Sequence, residues 1–142
     1  MNQWFNKYTD IPYKLFGTDP TTGMDCFNLL CYVFKQEAGI AIPYTSSDFL
    51  KMVDDLWFTK THEQHFLNGS KNGDWVEVDT LQLYDLILMS LGSTNVVNHV
   101  AMYVENNKIL QMIENRDSAI YDYHKYFRQY TIKKVRWKTL LN

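Results

Sequence analysis

The sequence predicts an α+β fold. Apolar residues recur at helical spacing early in the chain, with Phe27, Leu30, Cys31, Phe34 and Ala38 on one face. From residue 75 onward the period falls to two, as half-buried strands require. Helices first and antiparallel strands later place the two kinds of element in separate halves of the chain. With 142 residues, 46% hydrophobic and 15% aromatic, the chain can build one core, so a single domain over 1–142 is expected.

Residues 1–8 read as a short amphipathic helix with Trp4 and Phe5 on the core side. Thr9 to Gly23 is a loop broken by Pro12, Gly17, Pro20 and Gly23, and Asp19-Pro20 favours a turn. Residues 25–38 form the clearest helix. Asp25 or the preceding loop caps its start, and Gly39 suits the left-handed position that ends it. IAIP (40–43) is too short to classify. A second helix begins at Ser46 or Ser47 with Asp48 and runs through Phe49, Val53, Leu56 and Trp57. A further short helix over 59–67 and a turn cluster at 68–73 follow. Strands are then expected at 75–79, within 83–92, at 98–106 and at 108–113, with weaker ones at 118–123 and 130–138. Asn106-Asn107 is the candidate hairpin turn.

Composition narrows the function. Fourteen basic against sixteen acidic residues give a net charge of −2, which offers no general attraction for nucleic acid or an anionic membrane. No run of 18 apolar residues exists, so no membrane insertion is expected. The first ten residues lack a secretory pattern, and synthesis in a cytoplasm is the expectation. Cys26 and Cys31 on one helix lie roughly 8–9 Å apart at Cα, too far for a disulfide. His62 and His65 have helical spacing, but no third ligand is evident and HEQH is not the zinc motif. Neither a metal nor a cofactor is expected. Asn68-Gly69-Ser70 reads as a turn. The stretch 123–138 carries six basic and no acidic residues, while 37–85 carries nine acidic and three basic. A solvated strand face, a docking face or a weak attraction to anionic polymers are the readings of the basic stretch.

A cysteine nucleophile requires a thiolate, a base and a group that orients the base. Cys26 stands in the first turn of the predicted helix, where the dipole favours an anion and a lowered pKa is expected. His99, on the strand face opposite Val100, Met102 and Val104, is the candidate base. Gln111 is the one short polar residue in KILQMI. Accepting from Nδ1–H, it would orient the imidazole without adding charge. A two-residue loop pairs Glu105 with Lys108 and sets Gln111 against Met102, off the His99 face. A register shifted by one sets it beside Ala101 or Tyr103, on that face. Sequence alone leaves both open.

Together these residues resemble the NlpC-type cell-wall peptidases, which are papain-like, and within them a phage-tail branch. The likeness rests on G-x-D-C-x-x-L at 23–29, GIAIP at 39–43, LQLYDLILM at 81–89, NHVAMYV at 98–104, and the intervals between Cys26, His99 and Gln111. It covers Tyr13 to about Gln111. The chain differs from the family's usual residues at Phe27-Asn28, at Leu83-Tyr84 and at Gln111. The resemblance implies N-terminal helices packed on an antiparallel sheet. It also implies Cys26 as nucleophile, His99 as base, Gln111 as third residue and Tyr13 as oxyanion support. The implied activity is a cysteine endopeptidase or amidase acting on peptidoglycan peptide stems, incorporated in the virion tail beside tail-tip or baseplate proteins. A structural tail subunit with a weak or inactive site, and a thiol acyltransferase, are the alternatives.

Overall fold

The computed structural model describes residues 3–43, 45–46, 74–92 and 99–141. The expected helices after Ser46, the turn at 68–73 with Asn68-Gly69-Ser70, His62 and His65 lie outside these residues.

Trp4–Tyr8 forms a 3₁₀ turn that buries Phe5 and Tyr8. The expected loop 9–23 holds more order than its breakers suggest. Thr18–Asp19 (β1) pairs with Gly23–Met24 (β2), and Tyr13 bridges to Met24. Gly23 sits at φ +134, and a Cβ there would lie 2.6 Å from Lys14 Cβ. The glycine before the Asp25-Cys26 pair is therefore required by backbone conformation and close approach together.

Cys26–Val33 (α1) is shorter than the periodicity indicates, because Phe34–Ala38 continues it as a π turn before Gly39 at φ 66. The buried face also differs. Leu29, Leu30 and Val33 are fully buried, whereas Cys31 is only half-buried. Asp25 is the N-cap and accepts from the Asn28 amide at 2.9 Å.

The main sheet has six strands: Trp75–Glu77 (β3), Leu86–Met89 (β4), His99–Glu105 (β5), Lys108–Gln111 (β6), Ala119–Asp122 (β7) and Thr131–Trp137 (β8). Their order is β3-β8-β4-β5-β6-β7, and all pairs are antiparallel. Between β7 and β8, Lys125–Arg128 (α2) makes one short turn of helix. The α+β architecture is as expected. Its sheet order is not visible in local patterns, because the last strand enters between β3 and β4.

One face of the sheet carries Leu86, Leu88, Val100, Met102, Val104 and Leu110, packed with α1 into the larger apolar cluster. The other carries Ile87, Met89, Ala101 and Ile109 with Tyr123 and Phe127. Trp75 and Trp137 face each other across β3 and β8 with ring centroids 4.9 Å apart, a pair worth about 1 kcal/mol beyond its burial. Ahead of β4, Tyr84 takes a left-handed backbone at φ 75. Its ring packs on Trp4 and Phe34, which offsets the strain.

Part of the basic stretch is paired within the sheet. Arg136 forms a two-pronged pair with Asp85, both bonds at 2.8 Å. Lys133 reaches Glu77, Lys138 reaches Asp74, and Lys134 donates to the Asp79 carbonyl. Placing β8 between β3 and β4 sets Lys133, Arg136 and Lys138 of the basic segment against Glu77, Asp85 and Asp74 of the acidic one.

Candidate active site

The β5–β6 hairpin resolves the register. Asn106 and Asn107 both have positive φ, 52° and 61°, as the tight two-residue turn demands. Glu105 pairs with Lys108 as that turn dictates, and an irregularity then shifts the ladder by one, so that Tyr103 faces Ile109 and Met102 faces Leu110. The shift carries Gln111 onto the His99 face. His99 Nε2 and Gln111 Oε1 lie 2.7 Å apart. The expected nitrogen was Nδ1; the structure corrects it to Nε2. A carboxamide oxygen accepts, so Nε2 carries the hydrogen and Nδ1 is left as the basic nitrogen. Gln111 Nε2 is buried without a partner among the described residues.

Cys26 opens α1 and is 4% exposed, and His99 opens β5 and is 3% exposed. The backbone amide of Val100, the residue after His99, favours the Cys26 thiolate, as do the amides of Phe27 and Cys26 itself. The sulphur is thus placed against the start of β5. These donors do not prevail. Burial, and then the Asp25 carboxylate, push the thiol well above its ordinary value. The expected lowered pKa is therefore corrected: the helix start alone does not offset desolvation. His99 moves the opposite way. Burial lowers it to about 4, against a smaller raising effect of the Gln111 bond. At neutral pH both groups are uncharged in this state.

Tyr13 is half-buried. Burial first, then the electrostatic influence of Glu114, Cys26 and Asp25, push its phenol up to about 12. It remains a hydrogen-bond donor at neutral pH, within the electrostatic reach of Cys26. Its segment is fixed by Ser118, which accepts from the Ile11 amide at 3.0 Å and donates to the Tyr8 carbonyl at 2.6 Å. Ser118 adjoins Ala119, the partner of Gln111 in the β6–β7 ladder. One buried hydroxyl therefore ties the Tyr13 segment to the strands that hold Gln111.

Sequence reasoning missed the polar group beneath Cys26. Asp25 Oδ2 accepts from the Phe16 amide at 2.9 Å and from the Ser46 hydroxyl. Asn28 Nδ2 donates to the Gly17 carbonyl at 2.9 Å, and Asn28 Oδ1 accepts from the Ser46 amide at 2.9 Å. Asp25, Asn28 and Ser46 are all buried. The Asp25 cap was legible; its link to Ser46, twenty-one residues on, had no local signal. Among the described residues no cluster of three or more potential metal ligands occurs.

This arrangement suits acyl transfer: a thiol at a helix start, an imidazole with one nitrogen anchored and one basic, and a phenol donor nearby. Comparison with known proteins agrees with the fold. The chain is 28% identical over 100 residues to "Murein DD-endopeptidase MepH" of Escherichia coli K12, covering 70% of this chain and 30% of that protein. It is 26% identical over 105 residues to "Gamma-DL-glutamyl hydrolase" of Bacillus subtilis 168, covering 74% of this chain and 21% of that one. The chain thus spans less than a third of either relative. Among solved structures, an NlpC/P60 family protein from Bacillus cereus superposes with TM-score 0.63 at 24% identity, over 94% of this chain and 37% of that one. The NlpC/P60 domain of the peptidoglycan hydrolase SagA superposes with TM-score 0.55 at 21% identity, over 92% and 91%. The sequence profile of the NlpC/P60 family matches residues 10–136, and the chain belongs to that family.

Proposed function

We propose that the chain is a cysteine endopeptidase or amidase that hydrolyses peptide stems of bacterial peptidoglycan through Cys26, His99 and Gln111. The observation that carries this reading is the 2.7 Å contact between His99 Nε2 and Gln111 Oε1. It leaves Nδ1 as a base at the start of β5, whose second amide faces the Cys26 sulphur. Membership in the NlpC/P60 family supports the substrate class. In this reaction the Cys26 proton passes to His99 Nδ1 as sulphur attacks the amide carbonyl carbon. The Tyr13 hydroxyl and the Cys26 N–H donate to the developing oxyanion. His99 returns the proton to the leaving amine nitrogen as the C–N bond breaks. Water, deprotonated by His99, then cleaves the thioester and restores the thiol. Because thiol and imidazole start neutral, proton transfer accompanies attack rather than preceding it.

The setting we propose is a phage tail, with synthesis in the host cytoplasm and later incorporation beside tail-tip or baseplate proteins. It is supported by the motif resemblance alone. Burial favours a second reading, a structural tail subunit, since both Cys26 and His99 are almost fully covered. Purified protein incubated with peptidoglycan separates the two. Release of new amines by the wild type, abolished in Cys26→Ala and His99→Ala, is the expected result. Release that persists in Cys26→Ala refutes the nucleophile. No release by a folded wild type favours the structural subunit.

A further inference from the structure

The nucleophile's own helix start contains a group that the reaction above does not use. Asp25 precedes Cys26 and is almost completely buried at 1% exposure. A buried carboxylate is costly unless donors surround it. Asp25 has amides on both sides, from Phe16 and Asn28, and the Ser46 hydroxyl on Oδ2. Ser46 is held in turn by Asn28 Oδ1 on its own amide, and Asn28 is held by Gly17. Three chain segments, 16–17, 25–28 and 45–46, close on one carboxylate.

We propose that Ser46 and Asn28 are positioning residues for Cys26: they hold the Asp25 carboxylate buried at the start of the nucleophile's helix, one residue from Cys26, where its charge opposes that of a thiolate. The inference rests on the reading of Cys26 as nucleophile and adds the control of its ionisation. Burial raises the Asp25 carboxyl above its ordinary value, and Ser46 and the backbone amides of Asn28, Phe16 and Phe27 act against that rise in favour of the anion. The Asp25 charge in turn opposes ionisation of Cys26. Among the described residues, the other titratable groups near this corner are Tyr13 from the preceding segment and Cys31 on α1, with Glu114 acting through Tyr13 and His99 at the start of β5. Of these, His99 is neutral at rest and Tyr13 protonated, so among the described residues Asp25 is the charge that adds to burial in raising the thiol.

The test is the pH profile of Cys26 alkylation by iodoacetamide in the intact protein, read by peptide mass, in wild type, Asp25→Asn, Ser46→Ala and Ser46→Thr. Asp25→Asn removes the charge and keeps an N-capping side chain. Its profile is expected to move to lower pH, and each pH unit of movement raises labelling about tenfold at a fixed pH below the midpoint. Ser46→Ala withdraws a donor, so the buried carboxyl takes up a proton and the profile moves the same way. Ser46→Thr retains the hydroxyl and is expected to follow wild type. A merely structural role would lower stability in these variants without moving the midpoint. An unmoved midpoint in Asp25→Asn overturns the proposal. Movement in Asp25→Asn but not in a folded Ser46→Ala overturns the part assigned to Ser46. Labelling needs no substrate, so a chain that shows these shifts yet releases no amines retains this inference while the hydrolase reading fails.

Discussion

Replacing His99 by Asn tests whether the imidazole is neutral and buried, the property on which the proton-transfer order depends. In the folded protein His99 titrates near 4 instead of 6.5, with burial as the larger cause. Between those values the unfolded chain binds a proton at this residue and the folded chain does not, so stability falls as pH drops. Above 6.5 neither form binds the proton and His99 imposes no penalty. The gap converts at about 1.4 kcal/mol per pH unit to about 3 kcal/mol, without discount for solvent because the ring is covered. The assay is urea unfolding followed by tryptophan fluorescence at pH 7.5, 6.5, 5.5 and 4.5 for wild type and His99→Asn. The carboxylates that also titrate in this range are common to both proteins and cancel in the difference. Relative to the variant, wild type is expected to lose about 3 kcal/mol as the pH approaches 4, mostly below pH 6.5. A difference that stays flat within about 0.5 kcal/mol would refute the neutral buried imidazole. A difference of opposite sign would mean that the Gln111 bond outweighs burial.

Arg136→Ala removes the partner of a carboxylate with no exposed side-chain surface, so unfolding free energy is expected to drop by about 3–5 kcal/mol in the same urea assay. Lys133→Ala, which breaks a 3.5 Å pair with a mostly exposed Glu77, serves as its control and is expected to change stability by less than about 1 kcal/mol. Tyr13→Phe keeps the ring and deletes the hydroxyl. If that hydroxyl serves the oxyanion, amine release is expected to fall about 10²–10³-fold with unfolding unchanged, and a loss below threefold removes Tyr13 from the site.

Where the chain states its structure locally, the sequence is readable. Alternation in 98–105 separates Val100, Met102 and Val104 from Ala101, and the structure places them in different apolar clusters. Asp25 and Gly39 mark the ends of a helical segment by chemistry that acts over a few residues. The polar residue in KILQMI stands out because its neighbours are apolar, and it meets His99. Illegible features depend on distance or environment. The one-residue shift after Glu105 decides which face Gln111 takes, yet no residue there announces it. Pairing of β8 with both β3 and β4 joins segments about 40 to 60 residues apart. Protonation of Cys26 and His99 follows from burial, which spacing alone does not show; hence the dipole argument misjudged the thiol.

The central position of β8 has a consequence for synthesis. Among the described residues β3 pairs only with β8, and β4 has β8 along one side. Until residues 131–137 leave the ribosome, β4 is an open edge bearing Leu86, Ile87 and Leu88, and Asp85 lacks its arginine. Open apolar edges template pairing between chains. A nascent or prematurely terminated chain therefore holds Tyr13, Cys26, His99 and Gln111 while still lacking the strand that joins the halves of its sheet. Closure of the sheet beside the candidate site therefore waits on β8, the strand that joins β3 to β4.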